Sequence, residues 1–142
     1  VRALLDVNVL LALFDRDHAD HARARDWLTA EITQGWASCP LTQNGFVRVV
    51  GQPQYPSPVP VAQAIQMLAR ACSTEHHEFW PSDRSLLDET FVDPRRIHGP
   101  RQVTDLYLLA TAVAHRGRFV TFDRAIPVSA VPGATNDHLV VL

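Results

Sequence analysis

"VRALLDVNVLLALF", residues 1–14, decides how the rest of the chain is read. Apart from Arg2, its only polar residues are Asp6 and Asn8. A segment this apolar is expected to be buried on both sides. An unpaired carboxylate near its middle would cost several kcal/mol to desolvate. Ala3-Leu4-Leu5 reads as a buried strand that ends at Asp6, and Asn8 to Phe14 as a short helix. Asp6 therefore falls at the carboxyl end of a strand, and the question is what offsets its charge.

The same alternation continues along the chain. Asp17 to Gln34 reads as a helix capped by Asp17, with Ala24, Trp27, Leu28 and Ile32 on one face and Gly35 ending it. Trp36 to Cys39 reads as a second strand. Thr42 is placed to cap a helix carrying Phe46, Val47 and Val50. Residues 51–60, "GQPQYPSPVP", hold four prolines and read as a loop. Val61 to Cys72 reads as a helix and His77 to Trp80 as a third strand. A short helix near Leu86 and Leu87 is expected, then the arginine-rich loop "DPRRIHGPR". Thr104 to His115 has Leu106, Leu109, Ala110 and Val113 at helical spacing, with Gly117 as its stop. Arg118 to Phe122 and His138 to Leu142 read as the last two strands.

Strands alternating with helices predict one α/β domain over residues 1–142, a mostly parallel sheet with right-handed crossovers. In such sheets ligands gather beyond the carboxyl ends of the strands. Asp6 and Asp123 each follow an apolar strand. Asp105 falls in the first turn of a helix, where the helix dipole favours negative charge. Three elements thus point carboxylates toward one edge of the sheet. Asp6 is expected at the mouth of a crevice there, with a cation beside it. Carboxylates with no lysine among them suit a hard divalent ion such as Mg2+ or Mn2+.

Composition narrows the function classes. The chain has 142 residues, of which 46% are hydrophobic, as in a globular domain with a sizeable core. No apolar run reaches membrane-spanning length, and the opening has one basic residue closely followed by Asp6, so neither a membrane span nor a secretory signal is expected. Cys39 and Cys72 have no metal or CxxC spacing and read as reduced thiols of a cytoplasmic protein. The net charge of −2 argues against a general nucleic-acid binder. All thirteen basic residues are arginine, and they are unevenly spread. Six acids and one arginine lie between Glu75 and Asp93, against six arginines and two acids between Pro94 and Arg124.

The segments "LLDVNVLLALF", "LTQNGFVRVV", "TDLYLLATA" and "FVTFDRA" resemble, in order and spacing, those of PIN domains. More narrowly they resemble VapC-type toxins of bacterial toxin–antitoxin pairs. The resemblance spans nearly the whole chain. It implies a Rossmann-like α/β/α fold, Mg2+- or Mn2+-dependent endoribonuclease activity, a homodimer, and inhibition by a VapB-type antitoxin. It also implies that Asp6, Asp105 and Asp123 are the catalytic and metal-binding aspartates, with Asn8 and Thr121 in support. At the start of the helix after the second strand many PIN domains have a glutamate. This chain has Gln43, which can ligate or hold a water but brings no charge, so a second metal is in question. Glu31 lies on the preceding helix and is a poor substitute.

Other polar residues have plainer readings. His18 and His21 could hold a metal but sit among Asp15, Asp17 and Asp20 and read as a solvated face. His76 and His77 read as strand-edge residues. Arg95, Arg96 and Arg101 are candidate RNA phosphate contacts, and His98 and His115 lie in the same basic half. Trp27 and Trp36 read as core or dimer packing. Trp80 reads as core more readily than as a base-stacking platform. Two alternatives compete with a nuclease. One is a non-catalytic PIN-fold module that binds RNA or a partner, supported only by Gln43. The other is an aspartyl phosphotransferase, which "DVNV" suits poorly. That chemistry usually needs a second aspartate where Asn8 stands and a lysine that this chain lacks.

Overall fold

The computed structural model describes all 142 residues. Five short strands form one sheet: β1 (Ala3–Leu5), β2 (Trp36–Ser38), β3 (His77–Phe79), β4 (Arg118–Thr121) and β5 (Leu139–Val141). All neighbours pair in parallel, in the order β3-β2-β1-β4-β5. The helices are α1 (Val7–Phe14), α2 (His21–Glu31), α3 (Pro40–Val50), α4 (Val61–Cys72) and α5 (Val103–Ala114). None is long and apolar enough to cross a membrane.

Period-2 side-chain alternation sorts the core into two faces. Ala3 and Leu5 of β1, Trp36 of β2 and Val120 of β4 pack with Val9, Leu10, Phe46 and Leu68 of α1, α3 and α4. Leu4, Ala37 and Phe119 face the other way, onto Leu106, Leu109 and Ala112 of α5. The result is an α/β/α layering in which the central strands are buried on both faces, as their apolar runs require. The chain lays β2 and β3 on one side of β1, then returns to place β4 and β5 on the other. The strand order therefore reverses at the β1–β4 boundary, and a crevice is expected beyond the carboxyl ends of that pair.

Several sequence expectations need correction. The second helix begins at His21 rather than Asp17, because residues 15–20 form turns of their own. The Asp15 carboxylate accepts from the Asp17 amide at 3.0 Å, and His18 Nδ1 accepts from the Asp20 amide at 3.0 Å. Such local side-chain bonds compete with helix. The third helix begins at Pro40, so Thr42 lies inside its first turn and reaches back to the Cys39 amide at 3.0 Å. No helix forms near Leu86 and Leu87; the segment is a series of turns, and Leu87 is 90% exposed. Two aromatic readings hold: Trp27 packs half-buried against the core, with the Arg118 guanidinium 5.3 Å from its ring centre. Trp80 is core, stacked on His115 with ring centres 4.6 Å apart.

Two glycines hold layers together by what they lack. A Cβ on Gly45 of α3 would sit 2.5 Å from Val7 Cγ2, so glycine lets α3 close onto the start of α1. After α5 it is Arg116 that takes the left-handed turn, at φ 57°. Gly117 is needed for space instead: a Cβ there would meet the Arg2 carbonyl oxygen at 2.6 Å and the Trp80 ring at 2.5 Å. Backbone cannot yield as a side chain can. Gly117→Ala is expected to lower stability by about 1–3 kcal/mol in urea unfolding, as overpacking does. Gly99→Ala, which meets nothing within 4 Å, should change it by less than about 0.5 kcal/mol.

Candidate functional site: a carboxylate cluster at the strand-order reversal

Asp6 is the hinge between β1 and α1. Its amide donates to the Val120 carbonyl at 3.0 Å, extending the β1–β4 ladder. Its own carbonyl accepts from Leu10 at 2.9 Å, the first turn of α1. Its side chain caps that helix, Oδ1 accepting from the Val7 amide at 2.7 Å. The other oxygen, Oδ2, accepts from the Thr121 hydroxyl at 2.6 Å. Only 7% of the residue is exposed, so Asp6 is buried rather than standing at a crevice mouth. That burial pushes its pKa above the ordinary carboxylate value, although the Thr121 and Val7 hydrogen bonds pull it down.

Thr121 organises the neighbouring loop. Besides donating to Asp6, its hydroxyl oxygen accepts from Asn8 Nδ2 at 3.3 Å and from the Asp123 amide at 3.1 Å. Asn8 Oδ1 in turn accepts from the Phe122 amide at 3.4 Å. Asp123 Oδ1 accepts from the Ala125 amide at 2.8 Å, which bends the chain just past β4. Asp105 enters from the first turn of α5. It is half-buried, and its pKa is pushed up to about 7. Burial is the largest cause, followed by the charge of Asp6, then a hydrogen bond to Asp123 and that group's charge. The charges of Asp6 and Asp123 thus act on Asp105, and that of Asp123 on Asp6.

The donor chemistry of these groups fits a hard divalent cation: several carboxylate oxygens, forced together against their own repulsion. The side chains do not form a finished ligand shell, since no group of three or more His, Cys, Asp or Glu side chains is set to hold an ion as it stands. His18 and His21 belong to no metal-holding group, and His21 Nδ1 contacts the Ala12 carbonyl at 2.7 Å.

The remaining candidates are distributed more widely. Gln43 makes no hydrogen bond to the aspartates; its amide nitrogen donates to Ser38 Oγ at 2.9 Å. Glu31 is engaged by Arg118. Arg95 and Arg96 both pair with Asp93, at 3.1 and 3.6 Å, so one acid offsets part of their charge. Arg101 precedes α5, is exposed, and forms no ion pair. His98 is exposed beside it, whereas His115 is taken up by Trp80. Sequence reasoning missed the Ser38–His77 contact of 2.8 Å, because nothing in the spacing of two residues on adjacent strands announces it.

The raised pKa of Asp105 carries a stability consequence. At low pH the group is protonated in both the folded and the unfolded chain. As pH rises from the ordinary value of 3.8 toward about 7, the unfolded chain releases this proton while the fold retains it. The contribution of Asp105 to stability therefore declines through that window and is gone above it. In ion-free buffer Asp105→Asn should flatten this decline and be the more stable protein above neutral pH. Urea midpoints measured across the window check this; parallel curves for the two proteins would contradict it.

Comparison with known proteins agrees with the geometry. Residues 3–131 match the PIN domain family. Ribonuclease VapC44 of Mycobacterium tuberculosis is 65% identical over all 142 residues, covering 100% of both chains. Ribonuclease VapC38 of the same organism is 46% identical over 125 residues, 87% of this chain and 86% of that one. Among solved structures, VapBC2 from Rickettsia felis bound to a promoter DNA fragment superposes with a TM-score of 0.62. It covers 100% of this chain and 98% of that chain at 14% identity, a likeness of fold. The chain belongs to the PIN-domain family, as a member of its VapC-type group.

Proposed function

We propose that the protein is a divalent-metal-dependent endoribonuclease and the toxin of a type II toxin–antitoxin pair. The observation that carries this reading is the meeting of carboxylates at the strand-order reversal, where burial and neighbouring acids hold Asp6 and Asp105 above the ordinary carboxylate range. Relatives named as ribonucleases, similar along the full length, support it. In this reading Asp6, Asp105 and Asp123 hold Mg2+ or Mn2+. Such an ion, when bound, supplies Lewis-acid polarisation of the phosphate and a water nucleophile near neutral pH.

The chain's own residues do the rest. Thr121 and the Val7 amide fix both oxygens of Asp6, so this carboxylate cannot swing away. Asn8 holds Thr121 in place. Asp105, half-buried in the first turn of α5, would bring the second carboxylate to the ion. Arg101, together with Arg95 and Arg96, contacts phosphates of the RNA strand. Asp6→Asn should keep the fold, read by circular dichroism, and lower Mg2+-dependent RNA cleavage by at least about a hundredfold. Equal cleavage by the two proteins would refute the site. Absence of cleavage by the native protein would favour a non-catalytic binding module.

The partners in this reading are RNA, a VapB-type antitoxin and a second copy of the chain. The antitoxin would place an arginine among the carboxylates, where a guanidinium makes bidentate pairs. We place the homodimer interface on the apolar surface of α3 and α4. Val61 and Ile65 are 53% and 52% exposed and, with Val47 and Leu68, line an open groove of about 670 Å3. Ile65→Arg should shift the protein from dimer to monomer at micromolar concentration in sedimentation equilibrium. A variant that remains dimeric would place the interface elsewhere.

A further inference from the structure

Gln43 stands at the start of α3, two residues before the glycine that packs on Val7. Its amide nitrogen donates to Ser38 Oγ at 2.9 Å, and Ser38 Oγ lies 2.8 Å from His77 Nε2. Ser38 is fully buried, so its hydroxyl must be satisfied within the protein. A serine hydroxyl has one proton and two lone pairs. The Gln43 amide nitrogen only donates, so it occupies a lone pair. The proton can then go to His77 Nε2 or to Cys72 Sγ. The sulfur is a weak acceptor at 3.8 Å, and the short contact to nitrogen prevails.

That assignment needs a neutral ring with its proton on Nδ1, the tautomer that a hydrogen bond from the ring to the Cys72 carbonyl calls for, and the surroundings favour the neutral form. Burial pushes the His77 pKa below its ordinary value, and the charge of Arg2 adds to this. The Cys72 carbonyl and Glu78 act in the opposite direction without reversing it. Donation therefore runs from Gln43 to Ser38 to His77. The Gln43 oxygen Oε1 is left without a partner in the chain, while its nitrogen is held inward. A glutamate at this position could not donate to Ser38, so the order of donation depends on the amide.

We propose that Ser38 and His77 are positioning residues that lock the Gln43 carboxamide with its oxygen outward, as a hydrogen-bond acceptor for the RNA strand. This rests on the ribonuclease reading above. An acceptor offers nothing to a phosphate, which itself only accepts at neutral pH. It suits a donor, and the ribose 2′-hydroxyl is the donor that every RNA nucleotide carries and DNA lacks.

The test is a double-mutant cycle with Ser38→Ala and Gln43→Met, read by RNA cleavage in Mg2+, beside 15N NMR of the Gln43 side-chain amide in ion-free protein. In the native protein one Gln43 amide proton should exchange slowly, and Ser38→Ala should abolish that protection. Ser38→Ala should lower kcat/KM roughly fivefold, the scale of one hydrogen bond. It should have no further effect in the Gln43→Met background. An equal loss in both backgrounds, or an unprotected amide in the native protein, overturns the positioning role. A native protein that cuts no RNA overturns the ribonuclease reading and the role together, while the NMR arm still reports the relay by itself.

Discussion

The hydrogen bond from the Thr121 hydroxyl to Asp6 Oδ2, 2.6 Å long, ties the ends of the two strands between which the sheet order reverses. Everything around the carboxylates is referred to it. Through Asp6 it reaches the first turn of α1, and through the Thr121 oxygen it reaches Asn8 and the Asp123 amide. A buried carboxylate at this point would be a liability without such partners. With them, one anionic group is held rigidly in a low-dielectric place, and its charge is felt by Asp105. The opening stretch can therefore carry an aspartate in an otherwise apolar run because the fold supplies it with two donors.

Much of this was legible in the sequence, for a local reason. Ala3-Leu4-Leu5 before Asp6, and the apolar run before Asp123, each mark a strand and its carboxyl end. In a parallel α/β sheet those ends share an edge. The late helix, with Leu106, Leu109 and Ala110 at helical spacing, places Asp105 in its first turn. What was not legible depends on contacts between distant residues. The closing of α3 onto Val7, beside Asp6, across Gly45 is a contact visible only once the helices are packed. The engagement of Gln43 by Ser38 and His77 joins three elements and has no motif. The segment from Ser82 to Pro100 lacked any periodicity, and it folds as turns anchored by Phe91 and Val92 in the core.

The basic half of the chain makes a related point about charge counts. Six arginines between Pro94 and Arg124 suggest a uniform phosphate-binding surface. In the fold Arg95 and Arg96 share Asp93, and Arg118 turns inward to Glu31 and Trp27. Arg101 and Arg124, adjoining the helix of Asp105 and the loop of Asp123, remain exposed and without an acid. Arg116 is likewise exposed and unpaired, past the far end of α5, while Arg101 and Arg124 keep some positive charge near the carboxylates. There it can help attract a strand that the acids alone would repel.

The central claim is that Asp6, Asp105 and Asp123 form one electrostatic unit whose repulsion a divalent cation relieves. The most direct measurement is a pH titration of the Asp105 side-chain carboxyl by 13C NMR, with and without Mg2+. The account predicts a midpoint near the value of about 7 in ion-free protein and a clear downward shift when Mg2+ is added. An ion-free midpoint in the ordinary carboxylate range, unmoved by Mg2+, would contradict it.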